Sequence, residues 1–249
     1  MRVSARTSSL DGVHREYKSK MAFFNGYGVR GVIFDIDGTL LDSLSLYSSV
    51  MNRVLEGVDV SPLPKDALFK HLGIGMSLKN ILRKTIFEDR GAHFIDEVAK
   101  EILDRFIEVD MEIQLFPGVR QVFDFVRSAE IKIGLATGRT SSSAHEWKRL
   151  KEKGLDRFVD TIVTAAEVQN RKPAPDVIVE CAKNMDIPAK KCVVIGDSVS
   201  DILAARAAGA IPVGVCTGVT DKDTLNAQRP EAILEELADL IGLFDIRKI

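Results

Sequence analysis

Two aspartates, Asp35 and Asp37, stand two positions apart in the segment VIFDIDGTLLDS. An apolar run precedes them, and Gly38 and Thr39 follow, so both carboxylates stand at the end of a predicted buried strand. Two unit charges about 4 Å apart repel by about 4 kcal/mol at an effective dielectric constant of about 20. A divalent cation would offset this repulsion, and oxygen ligands of this kind suit Mg²⁺. An aspartate can also attack phosphorus and form an aspartyl-phosphate.

The segment IGLATGRTSSS carries a second candidate group. A predicted strand ends at Thr137, Gly138 permits a turn, and the serines that follow can cap a helix. A hydroxyl and backbone N–H groups at the start of a helix form a cradle for phosphate. Junctions of this kind are common in α/β proteins, so the segment alone leaves a purely structural role open.

Lys172 and two more aspartates complete the candidate groups. In RKPAPD, the proline after Lys172 keeps the lysine backbone extended, so the side chain is presented from a stiff loop. In VVIGDSVSD, Asp197 ends an apolar run, and Asp201 lies in the first turn of a predicted helix. A third strand-end carboxylate is what a metal bound by the first aspartate pair needs. Structural alternatives remain, because Ser198 and Asp201 also fit a capping box and most lysines are solvated.

The elements that must position these residues alternate between strands and helices. Apolar runs predict strands at Val29–Ile36, Ile131–Thr137, Val159–Val163, Cys192–Gly196 and Ile211–Val215. Most are separated by segments with helical periodicity, which indicates a parallel sheet covered on both faces. The candidate groups then share the rim formed by the carboxyl ends of the strands, where ligands bind in such folds.

One long segment of the chain has helical periodicity only. It lies between Ser43 and about Leu115 and predicts an inserted bundle of about four helices. We therefore predict a doubly wound parallel-sheet, Rossmann-like α/β core at residues 29–43 and 116–249, with an α-helical cap at residues 44–115.

Two segments receive separate predictions. Within the cap, HLGIGMSLKN at residues 71–80 is the turn expected nearest to a ligand, although it also fits a plain helix–helix loop. Residues 1–28 are rich in Ser, Arg and Lys and are predicted to form a flexible leader. An organelle-targeting peptide is the alternative, and Asp11 and Glu16 count against it.

Composition limits the classes of partner. The 249 residues carry a net charge of −2 without a basic stripe, so we predict no nucleic-acid partner. No apolar stretch approaches the roughly 20 residues needed to span a bilayer, so we predict no membrane association. The three cysteines are odd in number and lack CxxC spacing, which favours a reducing compartment, and we expect a cytoplasmic location.

Taken in order, these motifs resemble those of the haloacid dehalogenase-like hydrolases. The resemblance rests on DIDGT from Asp35 to Thr39, then Thr137, Lys172 and GDSVSD, and it covers about residues 29–218. RKPAPD and GDSVSDILAARAAG are most similar to the phosphoglycolate phosphatase-like and β-phosphoglucomutase-like branch. The helical insert resembles the small α-helical cap of that family.

The resemblance implies a role for each matched residue. Asp35 would attack the phosphoryl group, and Asp37 would protonate the leaving oxygen and then activate water. Thr137 would donate a hydrogen bond to the phosphoryl oxygens, and Lys172 would offset negative charge. The residues expected to bind phosphate or substrate are Gly38, Thr39, Gly138 and Arg139.

The resemblance also implies a Mg²⁺ cofactor. Its ligands would be Asp35, the backbone carbonyl of Asp37, and Asp197. Asp201 would be a further ligand through water, or would instead orient Lys172. The true dehalogenases of the superfamily lack an acid/base aspartate at the position of Asp37, so its presence favours phosphoryl transfer.

The predicted activity is hydrolysis of a small phosphorylated metabolite, with phosphoglycolate or a sugar phosphate as the expected substrate. The nearest alternative is a phosphosugar mutase of the β-phosphoglucomutase type. A non-catalytic binding module on the same fold and a phosphorylation-dependent switch are further alternatives. The protein is expected to be a monomer or a homodimer.

Overall fold

The computed structural model describes residues 20–87 and 91–248. The strands of these residues, in chain order, are β1 (Lys20–Phe24), β2 (Tyr27–Val29), β3 (Gly31–Phe34), β4 (Lys132–Thr137), β5 (Thr161–Thr164), β6 (Cys192–Gly196), β7 (Ile211–Val215), β8 (Ala232–Leu234) and β9 (Phe244–Lys248). The helices are α1 (Leu44–Gly57), α2 (Lys65–Gly73), α3 (Leu78–Thr85), α4 (Ala92–Val109), α5 (Val119–Ser128), α6 (Ser143–Glu152), α7 (Asp176–Asn184), α8 (Val199–Ala207) and α9 (Lys222–Ala227).

Six strands form one parallel sheet in the order β5-β4-β3-β6-β7-β8. All four residues of β3 are buried, because successive side chains point to opposite faces and both faces are covered. Val32 and Phe34 join one hydrophobic cluster, whereas Ile33 joins a second cluster that includes residues of α7 and α8. The predicted doubly wound, Rossmann-like core is confirmed.

The strand order reverses between β3 and β6, which places the ends of these two strands side by side. Phe34 pairs with Ile195, and the backbone N–H of Asp35 donates to the carbonyl of Ile195 at 2.9 Å. Asp35 and Asp197 therefore leave the sheet together at its carboxyl rim. This is the position at which open α/β sheets bind ligands.

Helices α1 to α4 lie between β3 and β4 in the chain. They pack around a hydrophobic cluster of their own that includes Met51, Leu68, Ile81 and Ile102, each buried completely. Within the described residues, this segment contributes no strand to either sheet. Its function as a cap and the boundaries predicted for it remain predictions.

The predicted leader is partly wrong. Within residues 1–28, the segment from Lys20 onward forms β1 and most of β2, and β1 also pairs in antiparallel fashion with β9 near the other end of the chain. Ala22 and Phe24 are buried, and the ring of Phe24 lies 5.4 Å from that of Phe244. This apolar contact holds the segment against the core, so it is not a flexible leader. Residues 1–19 lie outside the described residues.

Among the helices of the described residues, none has both the length and the apolar character needed to cross a bilayer.

Candidate active site

The ammonium group of Lys172 joins two of the predicted aspartates. Its Nζ donates to Oδ1 of Asp35 at 2.8 Å, to Oδ1 of Asp201 at 2.6 Å and to the carbonyl of Ala136 at 2.6 Å. The Lys172 side chain is only 5% exposed, which excludes the solvated lysine that its sequence context left open. Three acceptors satisfy all three ammonium hydrogens, so the lysine is fixed in position between the carboxylates.

Asp201 has two structural roles at once. Its Oδ1 accepts from Lys172, while its Oδ2 accepts from the backbone N–H of Ser198 at 3.1 Å. The Ser198 hydroxyl accepts in turn from the N–H of Asp201, which completes a capping box at the start of α8. The capping alternative and the site prediction are therefore compatible, since the helix cap fixes the carboxylate beside the lysine.

Asp197 lies in a tight backbone cradle. Its Oδ1 accepts from the Thr39 hydroxyl at 3.0 Å, and its Oδ2 accepts from the N–H of Val219 at 2.8 Å. A Cβ added at Gly38 would lie 2.6 Å from Oδ2, and one added at Gly218 would lie 1.8 Å from it. Both positions therefore require glycine, because any larger residue would displace the carboxylate.

The described residues contain one cluster with the donors of a metal site. A carboxylate oxygen from each of Asp35, Asp197 and Asp201 lies within 4.8 Å of the other two, and all three residues are buried. Three hard oxygen donors at this spacing fit Mg²⁺. The side chain of Asp37 is not in this cluster, and its backbone carbonyl, the ligand expected there, remains a prediction.

The pKa values of the cluster reflect burial and the crowding of its negative charges. Burial and the charge of Asp201 together raise the pKa of Asp197 to about 7, against the hydrogen bonds from Val219 and Thr39, which lower it. Burial also raises the pKa of Asp35 well above its usual range, although the Lys172 ammonium opposes that change. Burial alone would lower the pKa of Lys172, but the charges of Asp201 and Asp35 outweigh it and raise this pKa. Lys172 offsets one of the three carboxylate charges, and a divalent cation would offset the other two.

Asp37 faces a different partner. Arg139 binds it through two parallel hydrogen bonds, from Nε to Oδ2 at 2.6 Å and from Nη2 to Oδ1 at 2.8 Å. Burial would raise the pKa of Asp37, but the charge and hydrogen bonds of Arg139 outweigh it and hold this pKa well below its usual range. The two aspartates of DIDGT thus have opposite pKa shifts, a pattern typical of groups with different roles in acid–base chemistry.

Arg139 is also held from its other side. Its Nη1 donates to Asp110 at 2.7 Å, and its guanidinium lies 4.9 Å from the ring centroid of Phe106. Both of these residues belong to the end of the helical segment, at α4 and the 3₁₀ turn that follows it. Arg139 was predicted to bind phosphate, and this stays a prediction; in the structure its guanidinium pairs with Asp37 and Asp110.

Sequence reasoning missed the buried polar cluster behind Arg139. Asp110 is fully buried and also lies 3.1 Å from Nε2 of His145, while Arg149 donates to Glu146 at 2.6 Å. The spacing of His145, Glu146 and Arg149 on one face of α6 was the available signal. It could not identify Asp110, which is 35 residues away from His145 in the chain.

The remaining predicted residues divide into two groups. Thr137 is buried, and its hydroxyl oxygen accepts from the N–H of Arg139 at 3.1 Å. The hydroxyl hydrogen itself has no acceptor among the described residues. Gly138 follows it at the rim. Gly38 and Thr39 were predicted to bind phosphate, but the Gly38 N–H donates to Leu41 at 2.9 Å and the Thr39 hydroxyl donates to Asp197. Their phosphate-binding role stays a prediction, and in the structure both residues lie against the carboxylate of Asp197.

The predicted cap turn at residues 71–80 does contact the rim. A Cβ added at Gly75 would lie 2.7 Å from the carbonyl oxygen of Lys172 and 3.1 Å from Cβ of Ser200. One added at Gly73 would lie 3.0 Å from the hydroxyl of Thr220. The turn between α2 and α3 thus lies directly beside the Lys172 loop and the first turn of α8, which carries Asp201.

The sequence is similar to known proteins over most of its length. The profile described as haloacid dehalogenase-like hydrolase matches residues 32–215. A phosphorylated carbohydrates phosphatase from Thermotoga maritima is 31% identical over 222 residues, covering 86% of this chain and 100% of the relative. A phosphoglycolate phosphatase from Chromobacterium violaceum is 26% identical over 218 residues, covering 86% and 96%.

Solved structures agree with this assignment. The crystal structure of a hydrolase from Pseudomonas syringae matches with a TM-score of 0.73 at 27% identity, covering 86% of this chain and 96% of that one. The family profile spans well over half of the sequence and includes Asp35, Thr137, Lys172 and Asp197. The chain therefore belongs to the haloacid dehalogenase-like hydrolases.

Proposed function

We propose that this protein is a Mg²⁺-dependent phosphatase that hydrolyses a small phosphorylated metabolite through an aspartyl-phosphate on Asp35. One observation carries the proposal. The carboxylate of Asp35 lies within hydrogen-bonding distance of the buried ammonium of Lys172 and beside two more buried carboxylates, while Asp37 is held separately by Arg139. This arrangement separates a nucleophile from an acid–base group two residues away.

In the first step, a carboxylate oxygen of Asp35 forms a bond to phosphorus, and the bond from phosphorus to the ester oxygen breaks. Asp37 delivers the proton that the departing oxygen takes up. In the second step, water attacks the aspartyl-phosphate, Asp37 accepts its proton, and the bond from phosphorus to Asp35 breaks. Inorganic phosphate leaves, and both aspartates return to their initial state.

Three other residues support these steps. Lys172 offsets the charge that accumulates between Asp35 and the phosphoryl oxygens, and the Thr137 hydroxyl donates to one of those oxygens. Arg139 keeps Asp37 ionised, which favours its action as a base in the second step. For the first step Asp37 must take up a proton, from solvent or from a monoanionic phosphate ester, and release at least one of its Arg139 hydrogen bonds.

Asp35, Asp197 and Asp201 would hold the Mg²⁺, with the Asp37 carbonyl as the further ligand. When bound, the ion supplies positive charge that lets a phosphate dianion approach the carboxylates. The glycines at positions 38 and 218 support this assignment. A side chain at either position would occupy the space that the carboxylate of Asp197 fills.

We further propose that α1 to α4 form a cap that covers the rim and excludes water during the reaction. The cap turn already touches the Lys172 loop at Gly75. The relatives are named for phosphoglycolate and phosphorylated carbohydrates, so both substrate classes are candidates for this chain.

The test is release of inorganic phosphate from a panel of phosphomonoesters that includes phosphoglycolate and hexose phosphates. We expect turnover with Mg²⁺, loss of turnover with a chelator, and no turnover in Asp35→Asn, with that variant still folded. A phosphosugar mutase would instead isomerise a hexose phosphate, release phosphate slowly and require a bisphosphate activator. Turnover at the wild-type rate in Asp35→Asn contradicts the proposal.

A further inference from the structure

The cationic side chains around the rim differ in how they are neutralised. Arg139 binds Asp37 and Asp110, and Lys172 binds Asp35 and Asp201. Arg171, which directly precedes Lys172, forms no ion pair with any carboxylate of the described residues. It is therefore a rim cation whose charge the protein itself leaves unmatched.

Arg171 is not an ordinary surface arginine. Its side chain is half-buried, and its Nη2 donates to the carbonyl of Gly138 at 3.3 Å. Gly138 directly follows Thr137, so this hydrogen bond holds the guanidinium beside the loop proposed to receive the phosphoryl group. A Cβ added at Gly75 of the cap turn would lie 2.7 Å from the carbonyl oxygen of the neighbouring Lys172. Arg171 thus lies where the core rim meets the cap.

A half-buried guanidinium without an anionic partner is energetically unfavourable in the free protein. Burial lowers the pKa of Arg171, because it removes water without supplying a counter-charge. The guanidinium carries five N–H donors, and its single protein acceptor, the Gly138 carbonyl, occupies one nitrogen. The donors that remain suit two oxygens of one anionic group, since a guanidinium matches carboxylate and phosphate geometry in a bidentate way.

We propose that Arg171 binds a second anionic group of the substrate, a carboxylate or a second phosphate, while the first phosphate occupies the site at Asp35. The inference rests on the proposed phosphatase function and defines its substrate class as phosphomonoesters with a further negative charge. On the cap side, burial raises the pKa of the Tyr47 hydroxyl, so this group stays protonated.

The test compares substrates that differ only in the second anionic group. Phosphoglycolate and ethyl phosphate have similar size, and only the former carries a carboxylate. A hexose bisphosphate and its monophosphate form a second pair, which distinguishes a phosphate from a carboxylate as the group that Arg171 binds. The measured quantity is the ratio of kcat/KM values within each pair.

Three variants are compared with the wild type. In Arg171→Gln, we expect the ratio for at least one pair to fall by about tenfold to a hundredfold, mainly through a higher KM for the doubly charged substrate. Arg171→Lys keeps the charge without the bidentate geometry, so its kcat/KM ratio should lie between those of the wild type and Arg171→Gln. Arg53→Gln removes the same charge from an exposed position on α1 and should keep the wild-type ratio.

Several results would overturn the inference. A wild-type enzyme that does not prefer the doubly charged member of either pair contradicts it. Ratios that stay unchanged in Arg171→Gln also contradict it. Equal losses on both members of a pair would mean that Arg171 only positions the neighbouring Lys172. Circular dichroism verifies folding, and Arg171→Lys serves as the test if Arg171→Gln does not fold.

A separate binding measurement distinguishes this inference from the proposed function. Calorimetry with phosphoglycolate and with the hexose bisphosphate is performed on wild type and on Arg171→Gln in the presence of Mg²⁺. If wild type releases phosphate from no ester, the proposed function fails, and the binding data still decide the inference. Weaker binding of either compound to Arg171→Gln then supports the anion site, and equal binding of both rejects it.

Discussion

Replacing Lys172 with Met removes the ammonium group and keeps most of the aliphatic chain. The variant leaves the carboxylates of Asp35 and Asp201 without the hydrogen bonds of 2.8 Å and 2.6 Å that now satisfy them, and it leaves the Ala136 carbonyl without a donor. Removing one partner of a buried ion pair costs about 3–5 kcal/mol of unfolding free energy. We expect a loss in that range at about pH 8 without Mg²⁺.

The loss should depend on pH in a defined direction. The pKa of Asp35 is already raised by burial, and removal of the Lys172 charge raises it further. A carboxyl with a raised pKa in the folded state binds its proton more tightly there than in the unfolded chain, so stability falls as pH rises through that pKa. The variant should therefore be closer to wild type at about pH 5 than at about pH 8. Saturating Mg²⁺ should restore part of the stability at the higher pH.

Urea unfolding followed by circular dichroism, at both pH values and with and without Mg²⁺, measures these effects. Lys183→Met is the matched control, because Lys183 is 71% exposed and its ion pair with Glu180 lies on the surface of α7. It should change the unfolding free energy by less than about 1 kcal/mol at either pH. A Lys172→Met loss below that size, or one of equal size at both pH values, would refute the reasoning.

Two further predictions concern the groups around the carboxylates. Gly218→Ala should weaken Mg²⁺ affinity by about tenfold or more, since its Cβ would occupy the position of Asp197, whereas Gly242→Ala meets no atom within 4 Å and should have no effect. Titration calorimetry measures the Mg²⁺ affinity of both variants. Equal affinities would contradict the close packing of Gly218 against the carboxylate of Asp197. Arg139→Gln should raise the pKa of Asp37, because it removes the main charge that lowers it. The acidic limb of the kcat profile should then move to higher pH, and an unchanged profile would contradict the assignment.

Sequence patterns predicted the central sheet because its strands are short, apolar and buried on both faces. Cys192–Gly196 and Ile211–Val215 were predicted with the bounds observed, and the end of β4 at Thr137 was also correct. The edge strand β8 was missed, since it has three residues and two of them are only half-buried. Its apolar pattern is too short to distinguish it from a loop.

The hairpin of β1 and β2 was missed for a different reason. The leader prediction rested on the Ser, Arg and Lys content of residues 1–28 as a whole, and most of these residues precede Lys20. Its stability comes from pairing with β9, which lies more than two hundred residues later in the chain. No local pattern reports such a contact, which places the ring of the buried Phe24 beside that of Phe244.

The sequence predicted the site residues that stand at strand ends. It did not predict hydrogen bonds between side chains that only the folded chain brings together. Asp35, Lys172, Asp197 and Asp201 meet because parallel strands and the loops after them share one rim. The partner of Arg139 could not be deduced in the same way. An arginine after a phosphate-binding loop suits either a phosphate or a carboxylate, and the geometry that selects Asp37 depends on distant elements.

The central claim is that Asp35 is phosphorylated during turnover. The direct measurement is reduction with borohydride during rapid turnover with Mg²⁺, followed by mass spectrometry of the peptides, since borohydride converts an aspartyl-phosphate to homoserine. We predict homoserine at position 35 that depends on both substrate and Mg²⁺, with unmodified aspartate at positions 37, 197 and 201. Homoserine at another aspartate in place of position 35 would contradict the account.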